Sequence, residues 1–192
     1  MHDSFGDLPV LDTPRLRLRK LTLDDADDVF AYASDPEITR YMLWSPHVSI
    51  QDSRKFINIS IERYKKGLVA PWGIEHKGDR KIIGTCDFIS WFPEHARAEI
   101  GYALSRLYWG RGIMTEVVTH VIAYGFGQKD VNRIQAMCEI PNVGSARVME
   151  KSGMAFEGIL RQYMHHKGAF RDVKMYAILI EEWLLRLKSG LR

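Results

Sequence analysis

A strand pattern that passes through two closely spaced glycines into a helix pattern is the feature that most constrains this 192-residue chain. Residues 98–104 alternate in the manner of a strand, and residues 113–126 place apolar side chains on one helical face. Between them lies the turn Trp109-Gly110-Arg111-Gly112. Glycines let a ligand approach the backbone, and the free N–H groups at a helix start favour an anion. The turn predicts either a phosphate or diphosphate site or a plain, tightly packed strand–helix connection.

Two familiar nucleotide motifs do not fit this turn. A Walker A loop requires Gly-Lys-Ser/Thr, which does not follow Gly112. A dinucleotide fingerprint requires a third glycine and an early strand–helix–strand unit, and both are missing.

The remaining patterns predict one mixed α/β domain with the order β-α-α-β-β-β-α-β-α-β-β. We expect residues 1–12 to form a loose, flexible arm and residues 13–192 to form the domain. Strands are predicted at 15–19, 69–75, 81–92, 98–104, 133–140, 156–164 and 172–180, and helices at 26–33, 50–64, 113–126, 142–151 and 181–188.

Composition excludes several classes of protein. Apolar residues make up 46% of the chain and the formal charge is +3, which is ordinary for a globular protein and too mild to indicate nucleic-acid binding. No segment has the apolar length of a membrane span, and the N-terminus has no signal-peptide core. Cys86 and Cys138 are predicted to be buried thiols in a reducing cytoplasm, with a single disulfide as the alternative, and they are too few for a Cys-rich zinc site.

A second motif, Asn142 to Gly153, directly follows the strand predicted at 133–140. Asn142 suits the N-cap of a helix and Ser145 falls in its first turn. The motif predicts either a capped helix alone or a helix start that also contacts a ligand.

Taken together, these segments resemble the GCN5-related N-acetyltransferase (GNAT) superfamily, in its ribosomal-protein N-terminal acetyltransferase (RimJ/RimL-like) branch. The resemblance spans about residues 11–188 and rests on Thr13–Arg19, Tyr41–Trp44, Glu99–Tyr102, Trp109–Gly112, Thr115-Glu116, Asn142 with Ser145, Lys151 with Gly153, and Gly168, Asp172 and Tyr176. The family turn usually has Gln or Arg three residues before its first glycine, where this chain has Leu107 beside Arg106.

The resemblance implies a single-domain GNAT fold, with a mixed, mostly antiparallel sheet splayed at the acetyl-CoA site and with flanking helices. It implies acetyl-CoA as cosubstrate, no metal, and direct attack of an amine on the thioester. The pantetheine arm would pair with backbone near Leu104, and the turn would hold the diphosphate. The residues expected to contact acetyl-CoA are Leu104, Trp109, Gly110, Arg111, Gly112, Ile113, Met114, Thr115, Asn142 and Ser145.

The resemblance also suggests catalytic residues. Ser145 matches the serine proposed as general acid toward the CoA thiolate, although its hydroxyl could merely cap the helix. A glutamate found in some relatives is replaced here by Met164, which leaves Glu99 as the best candidate for the general base. The alternative for Glu99 is a surface charge or a partner of an arginine. His165 and His166 lie beside a predicted hairpin turn and are expected to be solvated.

The acceptor remains open at this stage. Trp44, Trp91 and Phe92 are candidates for an acceptor pocket, or else pack in the core. The acceptor is either a protein N-terminal α-amine or a small amine such as a polyamine or an amino-sugar antibiotic. A non-catalytic acyl-CoA-binding module and a homodimer also stay open. A basic helix face is predicted to be solvated, with RNA or ribosome docking as its alternative: Arg54, Lys55, Arg63, Lys65 and Lys66.

Overall fold

A computed structural model describes residues 5, 7–128 and 130–190 of the chain. Its strands are β1 (Leu11–Asp12), β2 (Leu16–Arg19), β3 (Trp72–His76), β4 (Lys81–Phe92), β5 (Arg97–Leu104), β6 (Arg133–Glu139), β7 (Ala155–His166) and β8 (Ala169–Leu179). Its α-helices are α1 (Ala26–Ala33), α2 (Pro36–Thr39), α3 (Ile50–Lys65), α4 (Ile113–Gln128), α5 (Val143–Lys151) and α6 (Ile180–Lys188).

The strands form one sheet with the order β1-β2-β3-β4-β5-β6-β8-β7. The pairing of β5 with β6 is parallel, whereas β1–β2, β2–β3, β3–β4, β6–β8 and β7–β8 are antiparallel. The parallel pairing ends at Glu99 and Gln135, although both strands continue beyond these residues. The predicted mixed, mostly antiparallel sheet is therefore confirmed.

The chain divides into two compact units, and the first contains residues up to Ile89 together with Gly101–Val117. In this unit, α1 and α3 pack over a cluster of buried side chains that includes Leu21, Val29 and Ile57. A capping box starts α3, and another starts the 3-10 turn that leads into α1. The side chain of Asp25 accepts from the backbone N–H of Thr22, and the side chain of Asp52 accepts from that of Ser49.

The second unit contains Ser90–Ile100 and the chain from Val118 onward. Ile134 and Ile178 on the paired strands β6 and β8 are fully buried, as is Met149 on α5. The ring of Trp183 on α6 lies 6.4 Å from that of Phe126 on α4. This unit therefore contains the β6-β8-β7 edge of the sheet with the first half of β5, and apolar helix faces pack against it.

One local prediction needs correction. Residues 5 and 7–12 are packed rather than loose, because the rings of Phe5 and Phe88 lie 5.7 Å apart, Leu8 is buried, and the Trp72 indole donates to the Pro9 carbonyl. Residues 1–4 and 6 of the predicted arm lie outside the described part of the chain.

Asp35-Pro36 starts the short helix α2 shortly after α1 ends at Ala33. The Asp35 carboxylate accepts from the backbone N–H of Glu37, and proline is compatible with the first turn because its missing N–H has no helical partner there.

Both cysteines are free and buried, which confirms the thiol interpretation over the disulfide. Burial raises the pKa of the Cys86 thiol well above its ordinary value. Within the described residues, no helix combines the length and apolar character needed to cross a membrane.

Candidate active site

The glycine turn has the backbone geometry that its sequence predicts. Gly110 and Gly112 have φ angles of 73° and 70°, a region that L side chains rarely adopt. A Cβ atom at Gly110 would meet nothing within 4 Å, and one at Gly112 would meet only the Arg15 guanidinium, at 3.8 Å. Both glycines are therefore needed for backbone conformation, and the space above them is open to a ligand.

The helix that follows the turn supplies donors for an anion. The first intrahelical bond runs from the Glu116 N–H to the Gly112 carbonyl, so the N–H groups of Ile113, Met114 and Thr115 precede the helical hydrogen-bond ladder. The side chains of Ile113 and Met114 are buried in the core. Any contact of Ile113 and Met114 with a phosphate therefore comes from backbone N–H groups at the positive end of α4.

Thr13 and Arg15, about a hundred residues earlier in the sequence, bind the Glu116 side chain just after this turn. The Glu116 carboxylate accepts from the Thr13 hydroxyl at 2.5 Å and from the Arg15 backbone N–H and Nε at 3.2 and 2.7 Å. Arg15 also donates from Nη1 to the Arg111 carbonyl at 2.9 Å. Burial alone would raise the pKa of Glu116, but these hydrogen bonds outweigh it and lower the pKa. Sequence reasoning gave Glu116 no role beyond membership of a family motif.

Replacement of Glu116 by glutamine is expected to destabilise the fold by about 1–3 kcal/mol, because charge-assisted hydrogen bonds are lost. Glu62→Gln is the matched control, because Glu62 forms an exposed ion pair with Lys65 that solvent screens strongly. Urea unfolding midpoints measure both.

The advantage of the native Glu116 should be complete above the ordinary glutamate pKa of about 4.3 and should fall as pH drops through the lowered pKa of the folded state. Equal midpoints for Glu116→Gln and Glu62→Gln at pH 7 would contradict the bracing role.

The residues beside the turn are partly engaged. The Trp109 indole donates to the Leu104 carbonyl at 2.9 Å, which leaves one lone pair of that oxygen for a pantetheine amide. Leu107 is 77% exposed at the position where relatives place Gln or Arg. Arg106 does not substitute for that side chain toward the turn, because it pairs with Asp35 at 3.1 Å. The turn therefore depends on backbone groups.

In the second unit, Asn142 and Ser145 lie together at the start of α5. The Asn142 amide oxygen accepts from the Ser145 backbone N–H at 3.1 Å, which confirms the predicted N-cap. The Ser145 side chain hydrogen bonds with Cys138 on β6, and burial raises the pKa of that thiol to about 11. The Ser145 hydroxyl is thus held against β6, and Cys138 is a neutral partner at physiological pH.

Glu99 is a buried carboxylate, which contradicts the surface-charge alternative. Its exposure is 8%, and its carboxylate accepts from the Gln135 amide at 2.9 Å. Burial raises the pKa of Glu99, while the Gln135 hydrogen bond and the charge of Arg97 oppose that rise. A carboxylate with a raised pKa and a neutral partner can take up a proton.

The prediction for His166 is wrong. His166 is 4% exposed and its imidazole hydrogen bonds with the buried carboxylate of Glu139 on β6. His165 is exposed, as expected, and its ring lies 5.2 Å from that of Phe170. Met164 is half-buried on β7 opposite Arg171, and its thioether offers no proton acceptor of useful strength.

The aromatic candidates are all half-buried. Trp44 packs against the buried cluster of the first unit, with its ring 5.5 Å from that of His47. In the second unit, the Arg97 guanidinium lies 4.6 Å from the ring centre of Phe92, and Trp91 precedes it at the end of β4. A contact with the acceptor stays a prediction for Trp44, Trp91 and Phe92.

The basic face of α3 is solvated, as predicted. Arg54, Lys55, Arg63, Lys65 and Lys66 are all exposed. Several of them line a shallow surface cavity of about 650 Å³. In the described part of the chain, no group of three His, Cys, Asp or Glu side chains is arranged to hold a metal ion.

Comparison with known proteins identifies relatives over nearly the whole chain. A family model described as an acetyltransferase (GNAT) domain matches residues 15–155. A Bacillus licheniformis protein named uncharacterized N-acetyltransferase p20 is 38% identical over 176 residues, which cover 92% of this chain and 99% of that protein. The ribosomal-protein-serine acetyltransferase of Escherichia coli is 27% identical over 133 residues, which cover 69% of this chain and 73% of that enzyme.

The fold has solved counterparts as well. The crystal structure of a GNAT-family acetyltransferase from Bacillus anthracis matches with a TM-score of 0.80 at 30% identity, and the match covers 90% of this chain and 99% of that one. The segment matched by the family model includes Glu99, the glycine turn, Asn142 and Ser145.

Proposed function

Because the chain belongs to the GNAT acetyltransferase family and is an N-acetyltransferase that uses acetyl-CoA, we propose that its acceptor is the α-amine of a protein N-terminus. The observation that carries this proposal is the environment of Glu99, a buried carboxylate whose hydrogen-bond donor, the Gln135 amide, is neutral. The other buried glutamate of the second unit, Glu139, is engaged with His166. The similarity to a ribosomal-protein-serine acetyltransferase supports the same acceptor class.

Proton accounting favours an α-amine over a lysine-like amine. An α-amine titrates near 7.7–8.0, so roughly a tenth of it is neutral at pH 7, whereas a lysine-like amine near 10.4 is neutral to less than about a thousandth. One weakly basic carboxylate is therefore sufficient to deprotonate the rest of an α-amine. A polyamine would require stronger assistance.

The proposed reaction assigns one task to each group. Backbone N–H groups of the turn from Trp109 to Ile113 bind the CoA diphosphate. Glu99 takes a proton from the ammonium, directly or through water, and the neutral nitrogen then attacks the thioester carbon. As the C–S bond breaks, Ser145 donates a proton to the leaving thiolate and regains one from the acylated nitrogen by way of solvent.

The test is a panel of acceptors with acetyl-CoA, comparing N-terminal peptides, their Nα-blocked twins with a free lysine, spermidine and an amino sugar. We expect the free N-terminal peptides to have the highest kcat/KM. In Glu99→Gln, kcat/KM on the best peptide should fall about ten-fold at pH 7, where roughly a tenth of the amine is already neutral, and by more as pH falls toward the raised pKa of Glu99. The loss should shrink above pH 8, where the amine is already neutral.

Glu94→Gln is the matched control, because Glu94 is an exposed carboxylate close to the same strand. A higher kcat/KM on spermidine or the amino sugar would overturn the α-amine acceptor. Parallel pH profiles for the native enzyme and Glu99→Gln would remove Glu99 from the mechanism.

The named N-acetyltransferase relatives and the retained turn favour an enzyme over a non-catalytic acyl-CoA-binding module. We also propose a cytoplasmic location, where buried free thiols such as Cys86 and Cys138 persist.

A further inference from the structure

Helix α3 concentrates the net charge of the protein in one short segment. Residues 50–66 contain five basic and two acidic residues, whereas the rest of the chain contains 22 of each. This segment therefore accounts for the whole formal charge of +3. Its two acids are engaged, because Asp52 accepts from the Ser49 backbone N–H at 3.0 Å and Glu62 pairs with Lys65 at 2.8 Å. The positive charge is thus localised on the basic face of α3.

The stability of the helix does not account for all of these cations. Basic residues near the C-terminus of a helix complement its dipole, as Arg63 and Lys65 do in the last turn of α3. Arg54 and Lys55 lie closer to the other end, where the dipole gives a cation no support. Both are exposed, and neither forms an ion pair within residues 5, 7–128 and 130–190. Their charges are available to a partner.

The cations surround a shallow groove rather than a flat surface. The groove has a volume of about 650 Å³, and four basic side chains line it: Arg54, Lys55, Arg63 and Lys66. Gln51 and Asn58 add side-chain amides, whose N–H groups can donate to a carboxylate. Glu62 also lines the groove, but its charge is compensated by Lys65. The lining therefore favours an acidic ligand.

Two exposed aliphatic side chains lie among these charges. Ile59 is 48% exposed one helical turn after Lys55, and Leu68 is 38% exposed shortly after α3 ends. Of the described residues that line the groove, none is aromatic. Proteins that bind single-stranded RNA commonly stack its bases on aromatic side chains. The combination of cations with aliphatic side chains therefore fits a polypeptide better than an RNA.

We propose that the groove on α3 binds an acidic polypeptide segment of a partner protein, in which aliphatic residues are interspersed among glutamates or aspartates. Its carboxylates would pair with the four cations, where the two arginines offer bidentate geometry. Its aliphatic side chains would cover Ile59 and Leu68. The inference is independent of the acceptor, because no residue of α3 takes part in the reaction proposed above.

The test is the binding of a labelled synthetic peptide that repeats glutamate-glutamate-leucine, measured by fluorescence anisotropy. The double variant Arg54→Glu with Lys55→Glu should lower the affinity about ten-fold or more, because repulsion replaces attraction. Arg54→Gln with Lys55→Gln should lower it less. Arg161→Glu with Lys188→Glu is the matched control, since it makes the same charge change at exposed residues outside α3 and should leave the affinity within about three-fold.

The aliphatic part of the groove has a test of its own. Ile59→Ser should lower the affinity for the glutamate-leucine peptide about three-fold or more, because apolar contact is lost. Its affinity for a peptide of the same charge with serine in place of leucine should be unchanged. Equal losses for the two peptides would contradict an aliphatic contact at Ile59.

Equal affinities for the native protein and the Arg54→Glu, Lys55→Glu variant would overturn the inference, as would an equal loss in the control variant. Tighter binding of an oligouridylate at the same salt concentration, lost in the same variant, would assign the groove to nucleic acid instead. Acetylation of an N-terminal peptide without acidic residues should be unchanged in this variant. The binding result therefore holds whether or not the α-amine proposal does, and a fall in that activity would count against a separate docking surface.

Discussion

Replacement of Gly110 by aspartate should remove measurable acetyl-CoA binding and leave the chain folded. The new carboxylate would stand where the turn offers backbone N–H groups to a diphosphate, and it would repel that group while neutralising the positive end of α4. A Cβ atom at Gly110 meets nothing within 4 Å, so no neighbouring atom opposes the new side chain, and the remaining cost is the backbone strain at this one residue. The expected loss of affinity is about 100-fold or more, measured by calorimetry.

Gly110→Asn is the matched control for this prediction. Asparagine has the same size as aspartate and, with aspartate, tolerates the positive φ of 73° better than most residues do. Its affinity should lie between those of the native enzyme and Gly110→Asp, because it retains the strain without the charge. Equal affinities for Gly110→Asp and the native protein would refute the diphosphate site.

Local sequence signals were sufficient for most elements of the fold. The strand predicted over residues 81–92 matches β4 residue for residue, and the glycines that follow α3 and α5, Gly67 and Gly153, have φ angles of 61° and 94°. Capping boxes and glycine stops act within four residues, so they can be recognised in a single sequence. The expectation of a splay between β5 and β6, by contrast, came from the family resemblance.

The errors occur where distant residues decide the outcome. His166 was expected in solvent because it adjoins a hairpin turn. It is buried instead, and its ring hydrogen bonds with Glu139, 27 residues earlier in the chain. Phe5 packs on Phe88, and Glu116 binds Arg15 across about a hundred residues. No periodicity encodes such pairs, because they are defined only once the sheet order is known.

In the candidate site, too, features set by neighbouring residues were predictable, and features set by strand pairing were not. The glycine turn and the Asn142 cap follow from local chemistry, and the structure has both. The burial of Glu99 and its Gln135 partner depend on the β5–β6 register, which a sequence does not specify.

Ser145→Ala should lower kcat about 10²–10⁴-fold with acetyl-CoA affinity nearly unchanged, if the hydroxyl protonates the leaving thiolate. The Asn142 cap uses the backbone N–H of Ser145, so the start of α5 survives the substitution. The lost side-chain contact with Cys138 involves a neutral thiol whose pKa is about 11, and its removal leaves no buried charge. The measurement pairs steady-state kinetics with calorimetric binding of acetyl-CoA.

Ser152→Ala provides the matched control at the other end of the same helix. The Ser152 hydroxyl is buried and has no hydrogen-bond partner among the described residues, so its loss should leave kcat unchanged and cost no hydrogen bond. Native turnover in Ser145→Ala would reduce Ser145 to a packing residue against Cys138. A loss of acetyl-CoA affinity with kcat retained would instead make it a cosubstrate contact, because a general acid acts only as the C–S bond breaks.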